Sequence, residues 1–163
     1  MPQAAYIGVG SNLNDRKSLI EKAKTLLCLN DKIIFLRSAP FYETQPVGGP
    51  RQGLFLNTVW EIESELSAGE LLDWLLKIET QLGRVRNEPL GPRTIDLDLL
   101  FFGDQIIQTP RLTVPHPRVQ DRWFVLKPLW DLRADLVHPI LQKSVCELLD
   151  EIDEKHKRSK KTK

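Results

Sequence analysis

Nine residues past the middle of the chain constrain its fold most. From Thr94 to Phe102 they run Thr-Ile-Asp-Leu-Asp-Leu-Leu-Phe-Phe, with Gly103 behind them. Branched and aromatic residues favour extended backbone and Gly ends it, so the stretch reads as a strand. Side chains alternate between the two faces of a strand. Ile95, Leu97, Leu99 and Phe101 then share one apolar face, suited to a core. Asp96 and Asp98 share the other, about 7 Å apart along the strand. Aspartate is poorly suited to strands, and like charges side by side repel. Two readings account for the pair. Both carboxylates hold a divalent cation, or they are a solvated pair on an open face, salt-bridged to an arginine. Magnesium is the best-fitting cation, because it takes one or two protein carboxylates and fills its other positions with water and phosphate oxygens.

The rest of the chain supplies a sheet for this strand to join. Ala4 to Val9 is short, apolar and β-prone and reads as a first strand, ending in a Gly10-Ser11-Asn12 turn within Gly8-Val9-Gly10-Ser11-Asn12-Leu13. That stretch lacks the third Gly of a dinucleotide-binding GxGxxG. Lys17 to Leu29 spaces Leu19, Ile20, Ala23, Leu26 and Leu27 along one helical face. Lys32 to Ser38 is a second strand, continuing past Pro40 into Phe41–Thr44. Residues 45–53 hold three Gly and two Pro, a composition that suits a binding loop or a plain connector. Phe55 to Ile62 is a third strand, with Phe55, Asn57, Val59 and Glu61 on one face. Asn57, unusual in a strand, either hydrogen-bonds a ligand or satisfies a neighbouring turn. Ser67-Ala68-Gly69-Glu70 is a capping box opening a helix that Gly83 stops. Glu79 lies near its end, and Arg84-Val85-Arg86 follows.

Beyond the central strand, Gly103-Asp104 suits a tight hairpin into Gln105-Ile106-Ile107. Two prolines hold His116 in extended backbone, with Arg111, Arg118 and Arg122 near it in sequence. Such a histidine is either a phosphate ligand or a structural, hydrogen-bonded residue. Trp123 to Trp130 forms a short buried helix or turn, and Ser144-Val145-Cys146-Glu147 caps a final helix ending at Ile152. The order strand, helix, strand, strand, helix, strand is the βαββαβ plan of ferredoxin-like α+β folds, an antiparallel sheet with helices packed on one face, here followed by a hairpin and a C-terminal helix. That plan turns the apolar face of the central strand to the helices and leaves the aspartate face open. Residues 1–153 are expected to form one domain. Residues 154–163 carry six Lys/Arg and one Glu and are expected to be a disordered basic tail.

Charge and composition exclude several classes. Without that tail the chain has 17 basic and 21 acidic residues, a net of −4, which argues against a nucleic-acid footprint. The third strand also lacks the aromatic pattern of an RNA-recognition motif. No apolar run is long enough to span a bilayer and none resembles a signal peptide, so the expected location is cytoplasmic. Cys28 and Cys146 fit no metal pattern and are expected as buried free thiols. Paired carboxylates, clustered arginines, a held histidine and a Gly/Pro loop together suit polyphosphate chemistry. Walker A and protein-kinase motifs are both missing.

From Ala4 to Ile152 the sequence resembles the 6-hydroxymethyl-7,8-dihydropterin pyrophosphokinase family. Gly91-Pro92-Arg93-Thr94-Ile95-Asp96-Leu97-Asp98 matches its signature almost verbatim. Gly10-Ser11-Asn12-Leu13, Phe41-Tyr42-Glu43-Thr44, Gly83-Arg84-Val85-Arg86 and Leu112-Thr113-Val114-Pro115-His116-Pro117 follow in the same order. The resemblance implies transfer of pyrophosphate from ATP to the pterin hydroxymethyl group, in folate biosynthesis, by a monomer that uses ATP as co-substrate. It implies two Mg²⁺ ions on Asp96 and Asp98, with Arg84 and Arg93 sharing the catalytic work. Glu79, Arg84, Arg93 and Ile95 are then expected on the ATP side, joined by Arg111, Thr113, His116 and Arg122. Thr44, Val47, Phe55, Asn57, Asp96 and Phe124 are expected around the pterin, with Phe55 and Phe124 stacked on its two faces. Four positions depart from the family. Pro89 and Leu90 replace an arginine and an aromatic in a loop one residue shorter. Phe55 replaces a common Tyr, and Pro117 replaces an aromatic of some relatives.

Overall fold

Four of the expected strands join in a single antiparallel sheet. The computed structural model describes residues 2–12, 15–45, 53–83 and 95–161. Its main sheet contains β1 (Gln3–Ser11), β2 (Ile33–Ser38), β3 (Tyr42–Thr44), β4 (Phe55–Ser64) and β5 (Asp96–Phe102). The order is β2-β4-β1-β5, with β3 also paired to β4. This is the strand order that the ferredoxin-like plan requires. The second and third strands are separated by Ala39 and Pro40, and each pairs with its own half of β4. The expected continuous strand is broken there because proline has no N–H for the ladder.

Helices α1 (Arg16–Leu27) and α2 (Ala68–Gln81) pack on one face. Asp15 caps α1 by accepting from the Ser18 N–H, and Ser67 and Glu70 close the expected capping box on α2. Ala5, Ile7 and Val9 of β1 and Leu56, Trp60 and Ile62 of β4 meet Ile20 and Leu27 of α1 and Leu71, Leu75 and Ile78 of α2. Full burial of each large aliphatic side chain contributes about 1.5–3 kcal/mol. Gly83, at φ 85°, adopts the left-handed geometry that ends α2.

On the opposite face, among the described residues, two helices cover one end. Helices α3 (Trp123–Arg133) and α4 (Val145–Lys161) pack over Tyr6, Val59, Leu100 and Phe101 through Val125, Leu126, Leu129, Leu148 and Leu149. At the other end of β5, Asp96 and Asp98 are half-buried.

One irregularity in β5 makes this division. Ile7 pairs with Leu99, but Tyr6 pairs with Phe101, so Leu100 is an extra residue on β5. Such a bulge reverses the alternation beyond it. Leu97 and Leu99 join the α1/α2 core as expected, whereas Phe101 joins the α3/α4 core and Phe102 takes the first face. Phe101 therefore does not share a face with Ile95, Leu97 and Leu99.

Four further expectations are corrected. Gly103, at φ 55°, turns the chain out of the sheet, and the hairpin forms between two later strands, β6 (Ile107–Gln108) and β7 (Thr113–Val114). Gly10 and Ser11 lie within β1 rather than in a turn after it. Cys28 and Cys146 are free but exposed. Cys28 caps α1 just past its buried Leu27, and Cys146 follows the buried Val145, on the outer side of α4. Finally, α4 runs to Lys161 rather than stopping at Ile152. Lys, Arg and Glu are strong helix formers, so the backbone continues as helix without an apolar stripe.

A short hairpin of β8 (Val137–His138) and β9 (Lys143–Ser144) precedes α4. His138 is 4% exposed, and its Nδ1 accepts from the Ile140 and Leu141 N–H groups at 3.2 and 3.1 Å. Ser144 and Glu147 form the second expected capping box.

Candidate active site

The strand register assembles the site. Gly10 lies between Asn57 on β4 and Asp96 on β5. Tyr42 of β3 extends that row beyond Asn57. In the next row Gly8 lies between Val59 and Asp98. Adjacent strands are about 4.8 Å apart, so Asn57 and Asp96 face each other across roughly 10 Å of glycine backbone. The glycines add no side chain of their own to that strip, and both are buried beneath their neighbours. A Cβ on Gly10 would come within 3.2 Å of Asn57 Oδ1 and 3.7 Å of Phe55 Cδ1, and one on Gly8 within 3.4 Å of the Leu100 methyl carbons. The sequence carried a signal for this, since glycines two apart on a strand share a face.

Asn57 is 5% exposed, and its amide is fixed. Nδ2 donates to Thr44 Oγ1 at 2.7 Å and to the Tyr42 carbonyl at 3.4 Å. The amide oxygen is thereby turned toward Gly10, as an acceptor over the strip. Phe55 stands two residues before Asn57, on the same face and half-buried. Phe124 lies in the first turn of α3, which is brought to β3 by two contacts. Trp123 meets Tyr42 edge-on, ring centroids 5.5 Å apart, and the Tyr42 hydroxyl donates to the Asp131 carboxylate. Burial, followed by Asp131, pushes the Tyr42 phenol up to about 12, so it stays a donor at neutral pH. The Arg122 guanidinium lies 5.6 Å from the Phe124 ring centroid.

His116 is tied to the bulge of β5. Its N–H donates to the Leu100 carbonyl at 2.9 Å, two residues beyond Asp98. Its Nδ1 accepts from the Arg118 N–H at 3.2 Å. Burial, reinforced by Arg122 and Arg118, pushes the imidazole down to about 4. The ring is therefore neutral at physiological pH, with its proton on Nε2. It can offer a phosphate a hydrogen bond, and its surroundings are already cationic.

One row from Asp98 the same face carries another acid, handled differently. Glu61 is 6% exposed. It accepts from the Tyr6 hydroxyl and, at 2.9 Å, from Arg37 Nε. Arg37 also donates to the Leu132 carbonyl at 2.9 Å, and Arg133 reaches the Tyr6 oxygen at 3.4 Å. Burial pushes Glu61 up, but the hydrogen bonds from Arg37 and Tyr6 outweigh it and hold the carboxyl below its usual range.

Asp96, Asp98, Phe55, Asn57 and Thr44 are thus brought together by the sheet, with Phe124, Arg122 and His116 at its margin. Glu79 is 3% exposed and accepts the Leu97 N–H of β5 at 2.8 Å. Ile95 is fully enclosed in the α1/α2 core, leaving only its backbone for a nucleotide. Arg111 forms an ion pair with Asp73 of α2, and Thr113 is half-buried in β7. Val47, Arg84 and Arg93 lie outside the described residues, as do the Gly91–Thr94 part of the signature and Pro89 and Leu90.

The acid pair suits a hard cation. Two carboxylates on one face, above a strip without side chains, leave room for a ligand that completes the coordination. Among the described residues no group of three His, Cys, Asp or Glu forms a protein cage for a metal. Magnesium does not require one where substrate phosphates and water supply the remaining oxygens.

Residues 6–134 match the family model of 7,8-dihydro-6-hydroxymethylpterin-pyrophosphokinase. The chain belongs to that family. It is 43% identical over 132 residues to the 2-amino-4-hydroxy-6-hydroxymethyldihydropteridine pyrophosphokinase of Bacillus subtilis, covering 81% of this chain and 79% of the relative. It is 41% identical over 150 residues to a folic acid synthesis protein of Pneumocystis carinii, covering 92% of this chain. It spans only 20% of that fungal protein. The fold also matches the HPPK-DHPS crystal structure of Plasmodium falciparum, with a TM-score of 0.74 at 15% identity. That match covers 98% of this chain and 46% of the parasite chain. No described helix is long and apolar enough to cross a membrane.

Proposed function

We propose that this chain transfers the β,γ-pyrophosphoryl group of ATP to the hydroxymethyl oxygen of 6-hydroxymethyl-7,8-dihydropterin, the folate-pathway step that its family name describes. The observation that carries the reading is the register Asn57–Gly10–Asp96, which sets a hydrogen-bonding amide and a carboxylate on opposite sides of a strip of glycine backbone. A flat heterocycle fits between them. Asn57 holds its polar edge, and Phe55 and Phe124 stack on its faces. Thr44 steadies the Asn57 amide, and Val47 adds a contact. The hydroxymethyl arm then ends at the aspartates.

In the reaction the pterin oxygen bonds to the β-phosphorus while the bond from that phosphorus to the α-phosphate oxygen breaks. The hydroxyl loses its proton, and AMP departs. Asp96 and Asp98 would hold two Mg²⁺ ions, which supply charge neutralisation along the triphosphate when bound. Arg84, Arg93, Arg111 and Arg122 face the phosphates as cationic donors, with Thr113 and the backbone of Ile95 beside the nucleotide. His116 donates from neutral Nε2, adding direction without another positive charge. Glu79 serves this set through β5 rather than by reaching the phosphates. The chain acts in the cytoplasm as a monomer and binds neither nucleic acid nor membrane.

The test is direct. Incubation with ATP, Mg²⁺ and the pterin should give AMP and the pterin diphosphate in equal amounts, followed by liquid chromatography. Pterin-dependent ADP in place of AMP would refute pyrophosphoryl transfer.

A further inference from the structure

Glu79 is an acid placed where α2 otherwise turns apolar residues to the sheet. Leu71, Leu75 and Ile78 form the buried stripe, and Glu79 is 3% exposed beside them. A carboxylate that deep needs donors to offset its lost hydration. One of them is the Leu97 N–H, at 2.8 Å from Oε2.

The choice of donor is informative. Among the described residues β5 is the edge strand of the sheet, paired to β1 alone. An edge strand directs alternate N–H groups away from its neighbour, where the ladder cannot hold them. Leu97 is the residue between Asp96 and Asp98, and its N–H belongs to the peptide that joins it to Asp96. One hydrogen bond from α2 therefore grips the backbone from which both carboxylates are hung. The backbone groups of Asp96 and Asp98 point the other way, toward Gly10 and Gly8 of β1. The aspartates are thus held from both edges of their strand, by β1 on one side and by a helix side chain on the other.

We propose that Glu79 is a positioning residue: by holding the Leu97 amide it sets the spread and direction of Asp96 and Asp98 toward the divalent cations they share. This rests on the reading of those two residues as metal ligands. Partners behind a ligand tune affinity strongly although they never touch the metal. What Leu97 requires is an acceptor and not a charge, so glutamine can replace glutamate in this role and alanine cannot.

The experiment uses Mn²⁺ as a probe, titrated by electron paramagnetic resonance into the protein with a non-hydrolysable ATP analogue. Glu79→Ala should weaken Mn²⁺ binding by about 10-fold or more, while Glu79→Gln stays within about threefold of wild type. Leu97 amide exchange, followed by NMR, should be slow in wild type and in Glu79→Gln and faster in Glu79→Ala. Unchanged Mn²⁺ affinity in Glu79→Ala overturns the proposal. So does a loss in Glu79→Gln as large as that in Glu79→Ala, because it would mean that the charge acts directly on nucleotide or cation. Should Glu79→Ala not fold, Glu79→Gln decides alone: a loss above about 10-fold, or a Leu97 amide that exchanges freely, overturns the role. The wild-type assay keeps the two readings apart. No AMP from wild type sinks the enzymatic reading, whereas AMP formation with Mn²⁺ affinity indifferent to Glu79→Ala sinks only the positioning role.

Discussion

On one face of the main sheet, Glu61 is 6% exposed and takes hydrogen bonds from Tyr6 and Arg37, with Arg133 close behind. One and two rows away, across the same strands, Asp98 and Asp96 are half-buried and look across at glycines. The first acid has its counter-charges built into the fold. The second pair stands beside two glycines, Gly8 and Gly10. Side chains at positions 6 and 61 close one end, and their absence at 8 and 10 opens the other. The sheet itself does not distinguish the two ends. What stands on β1 does: a tyrosine at one row and glycine at the next two.

The largest effect should come from the open end. Asp98→Ala is expected to lower turnover by about 1000-fold at saturating Mg²⁺, because charge stabilisation of the phosphates is lost with the ligand. Its melting temperature should change by only a few degrees, since the half-buried carboxylate is not part of either apolar core. AMP release and calorimetry on the same sample would check both. Turnover near wild type would place the chemistry elsewhere.

At the closed end the same kind of change should act on stability. Glu61→Ala leaves Tyr6 and Arg37 without their acceptor, at a cost of roughly 3 kcal/mol. Urea denaturation should show it, with activity per folded molecule unchanged. The sign of the pH effect follows from the depressed Glu61 carboxyl. Its contribution is complete above the unfolded carboxylate range and is lost as pH falls through the folded value. The variant should therefore lose less stability on acidification than wild type. If it melts normally but turns over slowly, the two ends are not independent.

Gly10→Ala tests the floor. Its methyl group would sit 3.2 Å from Asn57 Oδ1, closer than the packed amide allows without shifting. A rise of about threefold to tenfold in the pterin KM is expected, with the ATP KM little changed. Equal rises in both would show that the strip serves the nucleotide instead.

The smallest effect concerns the histidines, one near each end. His116 is pushed down to about 4 and His138 is also lowered, both mainly by burial. Below about pH 6.5 the unfolded chain takes up protons that the folded chain refuses, so stability falls as pH drops and is flat above. His116→Gln should flatten the curve between about pH 6.5 and 4 in stability measurements, and His138→Gln should also flatten it below about pH 6.5. A curve unchanged in both variants would mean that neither ring is held neutral.

Much of this was legible in the sequence because alternation is a local rule. Asp96 and Asp98 needed only a strand to share a face, and Ser67 with Glu70 needed only a turn of helix. The bulge at Leu100 was hidden because Leu-Leu-Phe-Phe is apolar throughout, so slipping its phase leaves no polar residue misplaced. Gly10 reads as a turn because glycine commonly ends a strand. Here it continues one, with Asn57 and the aspartates as neighbours that only pairing reveals. The Glu61 cluster was out of reach for another reason. Its members Tyr6, Arg37, Glu61 and Arg133 lie far apart in the chain, and no spacing rule joins them. The hydrogen bond from Leu97 to Glu79 likewise depends on an outward-facing edge amide, which composition does not encode.

Leu100 has a further consequence for how this strand can change over generations. It joins two half-strands that obey opposite parity. Before it, even-numbered positions face the ligand side. After it, odd-numbered ones do, and Phe101 can fill the α3/α4 core while Phe102 serves the other. The two halves are therefore separable traits. Substitutions past Leu100 can remodel the packing of the C-terminal helices while the acidic half keeps its orientation. Loss of the one extra residue would couple them again, and any gain in packing would then have to be traded against the direction of the carboxylates.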